Sequence, residues 1–105
     1  MCGLFGAVIY NPSTSRQELL ARIEEAQRVQ AHRGPDMHAH KVYELNDVTV
    51  VLAHQRLSIL DLSGNGLQPM SSSNLENEIV FNGEVYNYKE IAEARKMSGL
   101  RSGTD

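Results

Sequence analysis

Directly behind Met1-Cys2-Gly3 stands an apolar run, Leu4 to Tyr10, closed by the turn signal Asn11-Pro12-Ser13. A short run bounded so sharply reads as a buried strand, so the first residues of the chain are committed to a sheet. Cys2, the sole cysteine, then sits at the head of that strand. Alone, such a residue is more often small and buried than reactive. Removal of Met1, the usual fate when the second residue is this small, would place a thiol and a free α-amino group on one residue. An amine with a pKa of about 7.7–8.0 beside a thiol supplies both a base and a nucleophile.

The remaining pattern is α+β. Ser15 and Glu18 form a capping-box pair, which predicts a helix over 16–30 with Leu19, Ile23, Ala26 and Leu20 turned to the core. Gly34-Pro35 ends it. Val42 to Leu45 and Val48 to His54 flank Asn46-Asp47, a hairpin with a two-residue turn. Leu57 to Leu62 reads as a further short strand, Gln68 to Asn77 as a polar loop, and Glu78 to Phe81 as a strand before the tight turn Asn82-Gly83. Tyr88 to Met97 reads as a second helix, with Ile91 and Ala92 inward. Short connections make most strand pairs antiparallel.

Composition excludes several classes. A chain of 105 residues is one domain or part of one, and its net charge of −3 gives no reason to expect nucleic acid or an anionic membrane as partner. No apolar run approaches a bilayer span, and the start lacks a secretory pattern. A single cysteine forms no internal disulfide, in keeping with a cytoplasmic location. His32, His38, His40 and His54 are too scattered for a metal site.

Five strings carry the chemistry: Met1-Cys2-Gly3, His32-Arg33-Gly34-Pro35-Asp36, His54 through Asp61, Asn82-Gly83-Glu84-Val85-Tyr86-Asn87, and Ser102-Gly103-Thr104-Asp105. In this order and spacing the chain resembles the glutaminase domain of the asparagine synthetases, which are class II glutamine amidotransferases. Amide hydrolysis needs a nucleophile, a proton carrier and donors for the oxyanion. Cys2 with its own amine suits the first two. The Asn82 side-chain NH₂ and the Gly83 backbone N–H suit the third. Arg56 suits an α-carboxylate, because guanidinium offers two parallel donors. Glu84 and Asp105 suit an ammonium group. The resemblance implies these same roles, and adds Leu57, Ser58, Ile59 and Leu60 as lining of the glutamine pocket.

The His32 to Asp36 string reads as structural, a rigid turn in which Arg33 with Asp36 makes a local ion pair or positions the neighbouring loop. His38 and His40 read as solvated loop residues, His54 as a hydrogen-bonded structural one, and Tyr43, Tyr86 and Tyr88 as core or rim packing.

The resemblance further implies a four-layer αββα N-terminal-nucleophile hydrolase fold with mostly antiparallel sheets. Residues 1–105 would be the N-terminal portion of that domain. The rest of it, and an ATP-dependent synthetase domain that amidates aspartate to asparagine, would be absent. Glutamine and that missing domain, or an acceptor subunit, are then the expected partners. No metal or cofactor is expected in the glutaminase half, and ATP with Mg²⁺ only in the absent one. Two other readings compete: a class II amidotransferase with another acceptor, and a non-catalytic glutamine-binding module. A sheet cut short in this way should expose edges and an uncovered apolar face.

Overall fold

The structure, a computed structural model, describes residues 1–59, 61–100 and 102. Its elements run β1 (Gly3–Tyr10), α1 (Arg16–Gln30), β2 (Met37–Leu45), β3 (Val48–Arg56), β4 (Met70–Ser71), β5 (Glu78–Ile79) and α2 (Tyr88–Ala94). β1, β3 and β2 form a sheet in that spatial order, and β4 pairs with β5 in a second, small one. All pairs are antiparallel, so the architecture is α+β.

β3 is the centre of the fold. It pairs with β1 from Gly3↔Gln55 to Tyr10↔Val48, and with β2 from Met37↔Arg56 to Leu45↔Val48. Both hydrogen-bonding edges of β3 are therefore occupied, and Val51, Ala53, His54, Gln55 and Arg56 are all buried. Directly paired residues share a face. Phe5, Ala53 and His40 lie on the face toward α1, while Leu4, His54 and Ala39 lie on the other. The far end of that second face leaves Val8, Tyr10 and Leu45 exposed, the uncovered apolar surface expected of this sheet.

Helix α1 has the predicted bounds. Ser15 Oγ accepts the Glu18 N–H at 3.2 Å, which satisfies one of the free amides of the first turn. Ile23 is buried, and so is Gln27 one turn later, while Leu19, Leu20 and Ala26 are only half-buried. Gln27 earns its place through hydrogen bonds. Its Nε2 donates to the Ala39 carbonyl at 3.1 Å, its Oε1 meets His40 Nδ1 at 3.0 Å, and its own carbonyl accepts from Gln55 Nε2. A buried amide with every group paired fixes the helix on the sheet at one register.

Several expectations need correction. β2 begins at Met37, so His38 and His40 are strand residues rather than loop ones, and His40 is half-buried against Gln27. The stretch after β3 is not a strand: its described residues through Leu62 are irregular. The strand read over 78–81 is reduced to Glu78–Ile79, and α2 stops at Ala94, with Lys96 at a positive φ of 49°. The Asn46-Asp47 turn is as expected, with Asn46 at φ 38°.

Gly34 accounts for the turn after α1. A Cβ there would lie 2.4 Å from the Gln55 carbonyl oxygen and 2.6 Å from the Arg56 nitrogen, both backbone atoms of a strand paired on two sides. Gly34→Ala should therefore destabilise the chain by about 2 kcal/mol, the order of cost for overpacking. Urea midpoints of the two proteins measure it.

Candidate functional site

One step beyond the last β1–β3 pair, Cys2 meets the chain as it leaves β3. The Leu57 N–H points to Cys2 Sγ at 3.4 Å, and the thiol donates to the Leu57 carbonyl at 3.8 Å. Residues 2 and 57 are thus joined through the Cys2 sulfur, just past the end of the ladder. The exit loop is held from the other side by Asp36. Its N–H donates to the Arg56 carbonyl at 3.2 Å, and its Oδ2 accepts the Ser58 N–H at 2.6 Å. The structural reading of the Gly34-Pro35-Asp36 string holds in this form. Asp36 positions the loop, and the ion pairs among the described residues do not join it to Arg33.

A cavity of about 620 Å³ opens against this end of the sheet. Cys2, Arg56, Leu57 and Ile59 line one side of it, and Asn82, Gly83 and Glu84 also border it. Seven sequence-predicted site residues are therefore brought to one hollow. Ser58 is outside the lining, with its N–H turned to Asp36 and its hydroxyl buried without a partner. Leu60 and Asp105 lie outside the described residues.

Arg56 is more constrained than a free carboxylate clamp. Its Nη1 donates to the Ser63 carbonyl and its Nη2 to the Asp61 carbonyl. The guanidinium packs on Gly66, where a Cβ would come within 2.6 Å of Nη2. Two of its five N–H groups are spent on the loop, which fixes the plane in which the others are offered.

Sequence reasoning overlooked part of the lining: His54, Gln68, Met70, Ile79, Phe81 and Tyr86 all border the cavity. Gln68 Oε1 accepts the Phe81 N–H at 2.5 Å, immediately before Asn82. The Gln68-Pro69-Met70 string sits in a stretch that reads only as polar loop, so composition hid it. Tyr86 is 92% exposed and so belongs to the rim rather than the core.

His54 departs from its expected role. It is buried in β3 on the same face as Arg56, yet neither ring nitrogen has a hydrogen-bond partner. Burial first, and the neighbouring Arg56 charge second, push its pKa below the ordinary histidine value. Elsewhere, the Ser71 hydroxyl and Lys41 hold the Glu78 carboxyl below its usual range, and burial with the nearby Glu78 charge raises Tyr43. Among the described residues no cluster of three His, Cys, Asp or Glu side chains forms a metal site, and no helix is long and apolar enough to cross a membrane.

A family model described as a glutamine amidotransferase domain matches residues 1–105. Asparagine synthetase [glutamine-hydrolyzing] 1 of Bacillus subtilis is 34% identical over 105 residues, taking in 100% of this chain and 16% of the relative. Asparagine synthetase B [glutamine-hydrolyzing] of Escherichia coli is 33% identical over 106 residues, with 100% and 18% covered. Asparagine synthetase [glutamine-hydrolyzing] 2 of Arabidopsis thaliana is 36% identical over 107 residues, with 100% and 17% covered. The chain thus spans less than a fifth of the length of these relatives.

The His54 environment has a measurable consequence. A histidine whose folded pKa is depressed binds its proton more readily in the unfolded chain. Its contribution is intact above about pH 6.5 and is lost as pH falls through the lower folded value. Thermal midpoints should drop between pH 7.5 and 5, and His54→Gln should flatten that slope. An unchanged slope would contradict the assignment.

Proposed function

The chain belongs to the glutamine amidotransferase domain family, and from that membership we propose that it takes part in hydrolysing glutamine to glutamate and ammonia through Cys2 as an N-terminal nucleophile. The observation that carries the reading is the convergence of Cys2, Arg56 and Asn82-Gly83-Glu84 on one cavity.

The cycle follows from the groups present. With Met1 removed, the Cys2 amine takes the thiol proton, and the thiolate attacks the side-chain amide carbon of glutamine. A C–S bond forms and the carbonyl oxygen becomes an oxyanion, which the Asn82 NH₂ and the Gly83 N–H stabilise. The amine returns its proton to the leaving nitrogen, the C–N bond breaks, and ammonia departs. Water then adds to the thioester, the C–S bond breaks, and glutamate leaves with the thiol restored. Arg56 holds the α-carboxylate, and Glu84 with Asp105 the ammonium. Leu57, Ser58, Ile59 and Leu60 line the pocket.

In this reading residues 1–105 are the N-terminal portion of a four-layer αββα domain. The ammonia serves amidation of aspartate in a synthetase domain that binds ATP and Mg²⁺. The glutaminase half itself needs no metal or cofactor, and the protein works in the cytoplasm.

Ammonia release under saturating glutamine tests the proposal. Cys2→Ala should abolish it. Asn82→Ala should lower kcat by about 10²–10³-fold with KM little changed. Arg56→Ala should instead raise KM by about 10-fold or more. Equal falls in kcat and kcat/KM for Arg56→Ala would contradict a carboxylate-binding role, and activity retained in Cys2→Ala would overturn the reading.

A further inference from the structure

The segment that carries Asn82 and Gly83 has little regular structure of its own. β5 is only Glu78–Ile79, and residues 80–87 belong to neither helix nor strand. Two side-chain clamps hold it instead. At its start the Glu78 carboxylate accepts from Lys41 Nζ at 2.9 Å through each oxygen, and from the Ser71 hydroxyl at 2.5 Å. Lys41 also donates to Ser71 Oγ at 2.8 Å, which closes the triangle. Three residues on, directly before Asn82, the Phe81 N–H is taken by Gln68 Oε1.

Lys41 does not belong to the small sheet. It stands on β2, paired with Leu52, on the same sheet face as His54 and Arg56. A cation rooted in the three-stranded sheet therefore reaches across to the strand that leads into Asn82. The pair is partly sheltered, with Lys41 39% and Glu78 19% exposed, so it is not an ordinary surface ion pair. Gln68 and Ser71 bracket Met70 on the partner strand, so both clamps act through one short piece of chain.

We propose that Lys41, Glu78 and Gln68 are positioning residues that set the distance between the Asn82–Gly83 donors and Cys2, with Lys41 transmitting the position of the sheet. The role of the donors rests on the hydrolytic reading above; the pinning of the segment does not. No contact with substrate is required of these three side chains. They act by removing freedom from a segment that would otherwise have to be ordered at each turnover.

Amide hydrogen exchange on the ¹⁵N-labelled chain tests the pinning without reference to activity. Glu78→Gln and Lys41→Met should each speed exchange at Phe81 by about ten-fold and shift the Gly83 amide resonance, with Val51 in β3 unchanged. The charge swap combining Lys41→Glu with Glu78→Lys should restore both. Lost protection at Val51 would mark a single variant as unfolded, and the swap then decides. Unchanged Phe81 exchange in both single variants, or no recovery in the swap, overturns the pinning. Kinetics supply the second readout: kcat should fall about ten-fold in each single variant with KM within two-fold, and recover in the swap. Matching losses in kcat and KM would overturn the positioning role. A parent chain that shows the amide pattern without glutamine turnover supports the pinning and contradicts only the hydrolytic reading.

Discussion

The antiparallel pairing of β1 with β3 is the constraint on which the site depends. Residues 2 and 57 are far apart in sequence, and only the register Gly3↔Gln55 brings them into contact. A slip of one residue would turn every β1 side chain to the opposite face and move Cys2 off the Leu57 backbone. The register is defended by burial. Val51, Ala53 and His54 are each 1% exposed, and Gly3 fits closely against the Gln30, Arg33 and Gln55 side chains. The second strand pair does the same for the other end of the site, since Met37↔Arg56 puts Asp36 beside the exit loop.

Charge inside the hollow is managed by geometry. Arg56 is buried with 5% exposure, a position that would be costly for an unpaired cation. Backbone carbonyls of Asp61 and Ser63 accept from its guanidinium. Those two bonds fix the orientation in which the guanidinium is presented to the cavity. His54 beside it is held toward the neutral form by burial and by that same charge. Two cations side by side at the cavity floor are thereby avoided.

Much of this was legible in the sequence, for identifiable reasons. The strand behind Cys2 and the capped helix over 16–30 follow local rules, an apolar run with a turn signal and a Ser–Glu cap; the helix has the expected bounds and the strand begins one residue earlier, at Gly3. The candidate site residues were read from motif strings, and those among the described residues line one cavity, Ser58 excepted. What failed depended on tertiary contacts. Leu57 to Leu62 is apolar enough for a strand, but Ser58 is tied to Asp36 and the Asp61 carbonyl to the Arg56 guanidinium instead. His40 reads as a solvated loop residue and Gln27 is not among the expected core positions, yet they satisfy each other at the helix–sheet contact. Gln27 lies four residues after Ile23, so helical spacing carried a signal that residue type masked. Lys41 and Glu78 are separated by 37 positions, and nothing local announces that they meet.

The proposed hydrolysis turns on Cys2 being an N-terminal nucleophile in a pocket that admits glutamine. Intact mass before and after treatment with an electrophilic glutamine analogue tests it most directly. The expected result is a chain lacking the mass of Met1 that gains a single adduct on Cys2, with labelling suppressed by excess glutamine. A chain that keeps Met1, or that takes no adduct, or that labels equally well with glutamine present, would contradict it.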